Sequence, residues 1–195
     1  MEQPVPAIFT MPYKIASYDA DPSRRLRQSA QLRIQQEAGE QHLKAAGCPY
    51  TRLYDEFGFF FALTRVKTDI RRAPVFGEDV EVRTWSAGVK GAQFIRRYEL
   101  IGAGGEILLQ SAGAFAAIDA KSHRLMRPDA AASAIGLEPV ERETRCGEPE
   151  KVRLPDDMEI IGKYTVRYSD TDYNGHLNNT VYADFIADFI PGGFT

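Results

Sequence analysis

The spacing of hydrophobic and polar positions changes several times along this chain, and each change marks an element. Residues 8–18 (IFTMPYKIASY) read as an extended segment. Residues 24–46 then read as a long helix: Leu26, Ala30, Ile34, Ala38 and Ala45 share one face, with Arg, Gln and Glu on the other. Gly47 and Pro49 stop that helix. Phe59, Phe61 and Leu63 alternate with Phe60, Ala62 and Thr64, so this strand starts apolar on both faces and one part of it is expected to be buried on both sides. Residues 73–77 break the run. Val80, Val82 and Thr84 alternate with charged residues up to Trp85, and residues 92–101 make another strand. After a turn at Gly102 to Gly105, residues 106–119 form the last strand, with Gly113 expected as a bulge or bend. The order is strand, long helix, then several antiparallel strands.

Residues 121–158 differ in character. Pro128, Pro139, Pro149 and Pro155 and charges of both signs predict a linker with one short helix near 129–136. Residues 159–168 (EIIGKYTVRY) read as strand again, and a helix starts near Asn178. This second start repeats the first at an offset of 151. Tyr13 aligns with Tyr164, Asp19 with Asp170, Asp21 with Asp172 and Leu26 with Leu177. Two copies of one supersecondary unit follow from that match. The expected division is 1–135 for a first domain, 136–158 for a linker and 159–195 for the start of a second. The second copy reads as incomplete, since its strands after the helix are missing from the sequence. Its amphipathic helix, with Val181, Tyr182, Phe185, Ile186 and Phe189 on one side, requires a sheet to cover it.

Composition and charge narrow the function classes. Of 195 residues, 44% are hydrophobic and 26% charged, which excludes disordered and fibrous classes. A net charge of -3 argues against a general nucleic-acid binder. No apolar run approaches the ~20 residues of a membrane span. The N-terminus lacks the basic start and apolar core of a signal peptide, so a cytoplasmic protein is expected. Cys48 and Cys146 form no CxxC pair, and His42, His123 and His176 form no HExxH motif. Free thiols, no zinc site and no cofactor are the expectation.

The densest chemical signal runs from Val166 to Tyr182. Asp172, Asn174 and His176 are spaced by two just before a helix, Gly175 permits a tight turn, and Asn178 or Asn179 can cap the helix. A helix start offers unpaired N–H groups to a developing oxyanion. A histidine beside it can serve as base near neutral pH, a carboxylate can fix its tautomer, and an amide can hold water or a carbonyl oxygen. Asp, Asn and Gly are also what turns and caps prefer; their combination with histidine favours catalysis.

The chain resembles the acyl-ACP thioesterases of bacteria and plant plastids, tandem hotdog proteins of the α+β class in which an antiparallel sheet wraps around one long helix. The resemblance rests on Asp172-x-Asn174-x-His176-x-Asn178-Asn179-x-x-Tyr182, the first helix, the 59–70 strand, Gly77-Glu78-Asp79-Val80 with Thr84-Trp85, and Arg96-Arg97. It implies hydrolysis of a fatty-acyl thioester on acyl carrier protein, releasing free fatty acid, with Asp172, Asn174 and His176 as catalytic residues. A further acidic or cysteine residue of the family falls beyond Thr195. The first copy has Ser23 and Arg25 where the second has Asn174 and His176, so the resemblance assigns it the acyl pocket. The expected mechanism has Asp172 orient His176, which activates water, while amides near Gly175 to Leu177 hold the oxyanion. Arg65, Lys67, Arg71, Arg72, Arg96 and Arg97 are candidates for steering the acidic carrier protein. Hotdog units usually pair, which leaves a homodimer open. An acyl-CoA thioesterase and a non-enzymatic acyl-binding protein are the alternatives.

Overall fold

Five alternating apolar segments pair into one antiparallel sheet: β1 (Ile8–Lys14), β2 (Phe59–Ile70), β3 (Asp79–Lys90), β4 (Gln93–Gly102) and β5 (Ile107–Asp119). The computed structural model describes residues 5–173 and 175–190. The strand order is β1-β3-β4-β5-β2. The long helix α1 (Gln28–Ala45) packs on one face of the sheet. Ile15, Leu26, Ala30, Ile34 and Ala38 meet Val80, Val82, Leu100 and Leu108 there. This is the expected α+β arrangement of a long helix on an antiparallel sheet. A second cluster, with Leu53, Phe59, Ala117, Ala131 and Ile135, closes the far end under α2 (Tyr50–Asp55) and α3 (Pro128–Ile135). Pro128 opens α3, where its missing N–H costs nothing, and Gly136 ends it with a φ of 65°. Among the described residues, no helix is long and apolar enough to cross a membrane.

Three expectations are corrected. Ala45 is exposed, and the buried face of α1 carries Gln31, Gln35 and His42 beside its apolar residues. The spacing gave the helix, but the face is set by where the sheet lies. No register shift falls at Gly113: among the described residues the sheet is irregular on β2 between Leu63 and Arg65, on β3 between Ser86 and Val89, and on β5 between Ile107 and Leu109. Gly113 answers a different need, because a Cβ there would lie 2.8 Å from the Phe115 ring. Residues 159–168 form no strand: they are exposed, with Ile160 at 85% exposure and no ladder partner among the described residues, and Tyr168 already opens a 3-10 turn. Apolar alternation proposes a strand, but only a neighbouring backbone makes one.

The segment after α3 is held against the face of the sheet opposite α1. The Val140 amide donates to the Ser86 carbonyl, and Arg142 Nη2 reaches Glu99 Oε2 at 3.1 Å. Gln110 Nε2 donates to the other carboxylate oxygen of Glu99 at 2.9 Å, and the Arg145 amide donates to Gln110 Oε1. Arg97 donates to the Cys146 carbonyl, and Cys146 is buried beneath this strap. Burial pushes the Cys146 thiol up, partly offset by Arg97. Both cysteines are free and buried.

His42 is fully buried on α1. Its Nδ1 accepts from Arg96 Nη1 at 3.0 Å, so Nε2 carries the proton and donates to the Pro6 carbonyl at 2.9 Å. Desolvation, then the Arg96 charge, pushes its pKa down to about 4 from 6.5. The unfolded chain therefore binds a proton that the native state refuses. His42 contributes fully above pH 6.5, and as pH falls from 6.5 towards about 4 stability drops by up to about 3 kcal/mol. Thermal unfolding between pH 6.5 and 5 is expected to show this slope in the wild type and to lose it in His42→Gln. An equal slope in both proteins refutes the assignment.

Candidate active site

A 3-10 turn and a hook leading into a helix occur twice, and the bonds that form them recur at the offset read from the sequence. The 3-10 turns span Ser17–Asp19 and Tyr168–Asp170. The Tyr13 and Tyr164 hydroxyls donate to Asp19 and Asp170 at 2.9 and 2.8 Å. The same carboxylates accept from the Ala16 and Arg167 amides at 2.9 and 2.7 Å. The Asp21 and Asp172 amides donate to the Arg25 and His176 carbonyls, both at 2.8 Å. The Arg25 and His176 amides donate back to the Asp21 and Asp172 carboxylates at 2.9 and 3.1 Å. Arg24 and Gly175 hold the same left-handed backbone, with φ of 63° and 72°. Arg24 bears a strain at that φ that Gly175 avoids.

This correspondence separates scaffold from chemistry. Asp21 closes the first hook with no histidine in reach of catalysis, and Asp172 closes the second in the same way. The carboxylate of Asp172 is thus first a turn-forming group. The hook also engages two of the three amides expected to hold an oxyanion: Gly175 N–H donates to the Asp172 carbonyl at 3.0 Å, and His176 N–H is the one bound by the Asp172 side chain. Tight turns satisfy their own amides, which spacing alone does not reveal. Leu177 N–H, whose counterpart on Leu26 donates to the Pro74 carbonyl, has no partner among the described residues. Asn174 lies outside the described residues.

His176 is exposed. Its ring lies 6.0 Å from Phe60 of β2, in a recess shared with Tyr50, Tyr54, His123 and Tyr173. Tyr173 stacks edge-on against Tyr50 at 5.0 Å. The helix α4 (Val181–Phe189) lies against α1. Buried Thr180 and Ala183 form its inner side, and Asp184 is 3.9 Å from Arg33. Tyr182, Ile186 and Phe189 of α4 are exposed.

On the other side of the same turn lies a cavity of about 350 Å³ between α1 and the sheet. Its walls include Leu53, Phe61, Phe94, Phe115 and Ile135, and Asp172, Tyr173 and residues 178–180 border it. The first unit therefore supplies an apolar chamber, and the hook of the second stands at its edge. His176 and Asp172 border different recesses, with Tyr50 and Tyr173 between them.

The arginines expected as a docking patch are largely engaged elsewhere. Arg96 and Arg97 are neighbours in sequence but face opposite sides of β4, as the period of two demands. Arg96 turns inward to His42 and Thr84, while Arg97 turns outward to the carbonyls of Cys146 and Gly147. Arg72 pairs with Glu78 at 2.6 Å and Glu106 at 3.2 Å, and Arg65 reaches the Pro149 carbonyl. Sequence reasoning also missed Gln35, Gly39 and Tyr98 as cavity residues. The signal was available: Gln31, Gln35 and Gly39 are four residues apart on a helix whose apolar face adjoins them.

Comparison with known proteins agrees with this architecture. The family model described as the acyl-ACP thioesterase N-terminal domain matches residues 6–132, and that of the acyl-ACP thioesterase C-terminal domain matches residues 154–195. The chloroplastic dodecanoyl-[acyl-carrier-protein] hydrolase of Cinnamomum camphora is 27% identical over 201 residues, covering 94% of this chain and 51% of that protein. The chain spans about half the length of the curated relatives it matches. The structure of the 12:0-ACP thioesterase from Umbellularia californica superposes with a TM-score of 0.82 at 24% identity, covering 96% of this chain and 76% of the other. That of an acyl-ACP thioesterase from Bacteroides thetaiotaomicron gives 0.82 at 19%, covering 95% and 74%. At these identities the superpositions establish the shared hotdog fold. The two family matches together take in the helix-on-sheet unit and the second hook, and the chain belongs to the acyl-ACP thioesterase family.

Proposed function

We propose that this protein hydrolyses a fatty-acyl thioester carried on the phosphopantetheine arm of acyl carrier protein and releases the free fatty acid. The observation that carries the reading is the placement of Asp172, Tyr173 and residues 178–180 at the edge of the cavity between α1 and the sheet. Residues 1–135 hold the acyl chain, and the unit from residue 159 onward supplies the reactive groups. The imidazole of His176 takes a proton from water, and the hydroxide forms a bond to the thioester carbon. Leu177 N–H, an amide of the hook with no partner among the described residues, donates to the resulting oxyanion. The carbon–sulfur bond then breaks, and the imidazolium returns its proton to the leaving thiolate. Asn174 positions the water or the carbonyl, and Asp172 fixes the backbone from which His176 projects. A thioester is already activated, so these steps call on no cofactor.

The test is release of fatty acid from matched acyl-ACP and acyl-CoA panels by the purified full-length protein. Preferential hydrolysis of acyl-ACP is expected. Turnover of acyl-CoA alone moves the substrate to the alternative carrier, and no turnover of either overturns the reading. The repeat provides an internal control. Arg25 occupies the position of His176 in a hook of the same geometry, and Arg25→Ala is expected to leave turnover within a few-fold of wild type. A loss matching that of a His176 variant assigns the chemistry to the wrong copy.

A further inference from the structure

The face that α1 turns to the sheet carries a polar row, Gln31, Gln35, Gly39 and His42, about one turn apart. Its two ends are satisfied. Gln31 Nε2 donates to Thr68 Oγ1 at 3.0 Å, and His42 is held between Arg96 and the Pro6 carbonyl. Its middle is not. Gln35 is 3% exposed, and its Nε2 has no hydrogen-bond partner among the described residues. One turn further on, the bare Gly39 leaves room where two other polar groups converge. A Cβ there would lie 3.4 Å from the Tyr98 hydroxyl and 3.8 Å from Arg96 Nε.

Neither of those groups is saturated. The Tyr98 hydroxyl makes no hydrogen bond among the described residues, and burial pushes its pKa up to about 12, which keeps it a neutral donor. Arg96 makes its two side-chain contacts through Nη1 alone, and no carboxylate among the described residues pairs with it. A guanidinium has five N–H donors. Gln35, Gly39, Arg96 and Tyr98 all line the cavity. Three donors thus line one cavity, two of them meeting at Gly39 and the third one helical turn away, beside the apolar wall of Leu53, Phe61, Phe94, Phe115 and Ile135. An all-carbon chain lying there would shut these donors away from water with nothing to accept from them, which is unfavourable.

We propose that the cavity selects an acyl chain bearing an oxygen substituent, hydroxyl or oxo, that accepts hydrogen bonds from Gln35, Arg96 and Tyr98. This rests on the acyl-thioesterase reading for the identity of the ligand as an acyl chain, and it adds the class of chain. A pocket built to hydrogen-bond a substrate oxygen discriminates strongly against the analogue lacking it, whereas a purely apolar pocket discriminates weakly.

The experiment is calorimetric binding of free fatty acids of one chain length to the purified full-length protein. The set comprises the unsubstituted acid and isomers carrying a hydroxyl or oxo group near the carboxyl end, in mid-chain or near the methyl end. At least one oxygenated isomer is expected to bind tenfold or more tightly than the unsubstituted acid. Gln35→Leu, which keeps the volume, is expected to erase that preference and to improve binding of the unsubstituted acid. Tyr98→Phe removes a single oxygen and serves where Gln35→Leu fails to fold; it is expected to reduce the preference several-fold. Equal or tighter binding of the unsubstituted acid by the wild type overturns the inference, as does binding of none of the acids. A preference that survives both substitutions also overturns it. Hydrolysis of the matching thioesters is measured in parallel. Selective binding without hydrolysis leaves this inference standing and removes the thioesterase reading; hydrolysis without selectivity does the reverse.

Discussion

Replacing His176 by alanine is expected to lower thioester hydrolysis by about 10²–10⁴-fold, the usual contribution of a general base, with the thermal unfolding midpoint unchanged. The side chain is exposed, and the bonds that form its turn run through the backbone and the Asp172 carboxylate, not through the imidazole. Alanine keeps all of them. Asp172→Ala is expected to behave differently, reducing turnover and lowering the midpoint together, because it opens the hook. Steady-state rates on acyl-ACP, with differential scanning calorimetry on the same preparations, separate the two. Near wild-type turnover in His176→Ala removes the histidine from the reaction. An unchanged midpoint in Asp172→Ala removes the aspartate from the scaffold.

The largest stability effect is expected from Arg142→Met, about 3–5 kcal/mol. Glu99 is completely buried on the outer face of the sheet, and its carboxylate is balanced by Arg142, with Gln110 filling one further hydrogen bond. Removing the guanidinium leaves a buried charge against a neutral amide. The same guanidinium lies over the Trp85 ring, 5.4 Å from its centre, so the strap over residues 140–147 loosens as well. Urea unfolding reports the destabilisation, and reaction of Cys146 with a disulfide reagent reports the loosening. Combining Arg142→Met with Glu99→Gln is expected to recover much of the loss, since a neutral amide can be buried beside Gln110. A single variant within about 1 kcal/mol of wild type, with Cys146 still unreactive, contradicts this account.

The order of elements was legible because it is written in local periodicity. The helix face with Ala30, Ile34 and Ala38, the alternation at Val80 and Val82, and the Gly102 to Gly105 turn each depend on neighbours only a few residues away. The offset of 151 was legible for the same reason. Asp19 and Asp170, and Asp21 and Asp172, hold local hooks whose bonds span at most eight residues, so the residues needed for each hook sit in one short string. Sequence thus determined the α+β class, the repeated hook and the string that contains Asp172, Asn174 and His176.

The tertiary structure decided what depends on partners distant in the chain. It withheld strand structure from residues 159–168, which have the alternation but no ladder. It sent Arg96 inward and Arg97 outward, and it turned Gln35 and His42 into the core. It brought Asp172, Tyr173 and residues 178–180 to a cavity walled by residues 32–139, a meeting that no local pattern encodes. Periodicity says which residues share a face; only the packing of distant segments says what that face meets, and therefore whether a polar group on it is solvated, paired or left for a ligand.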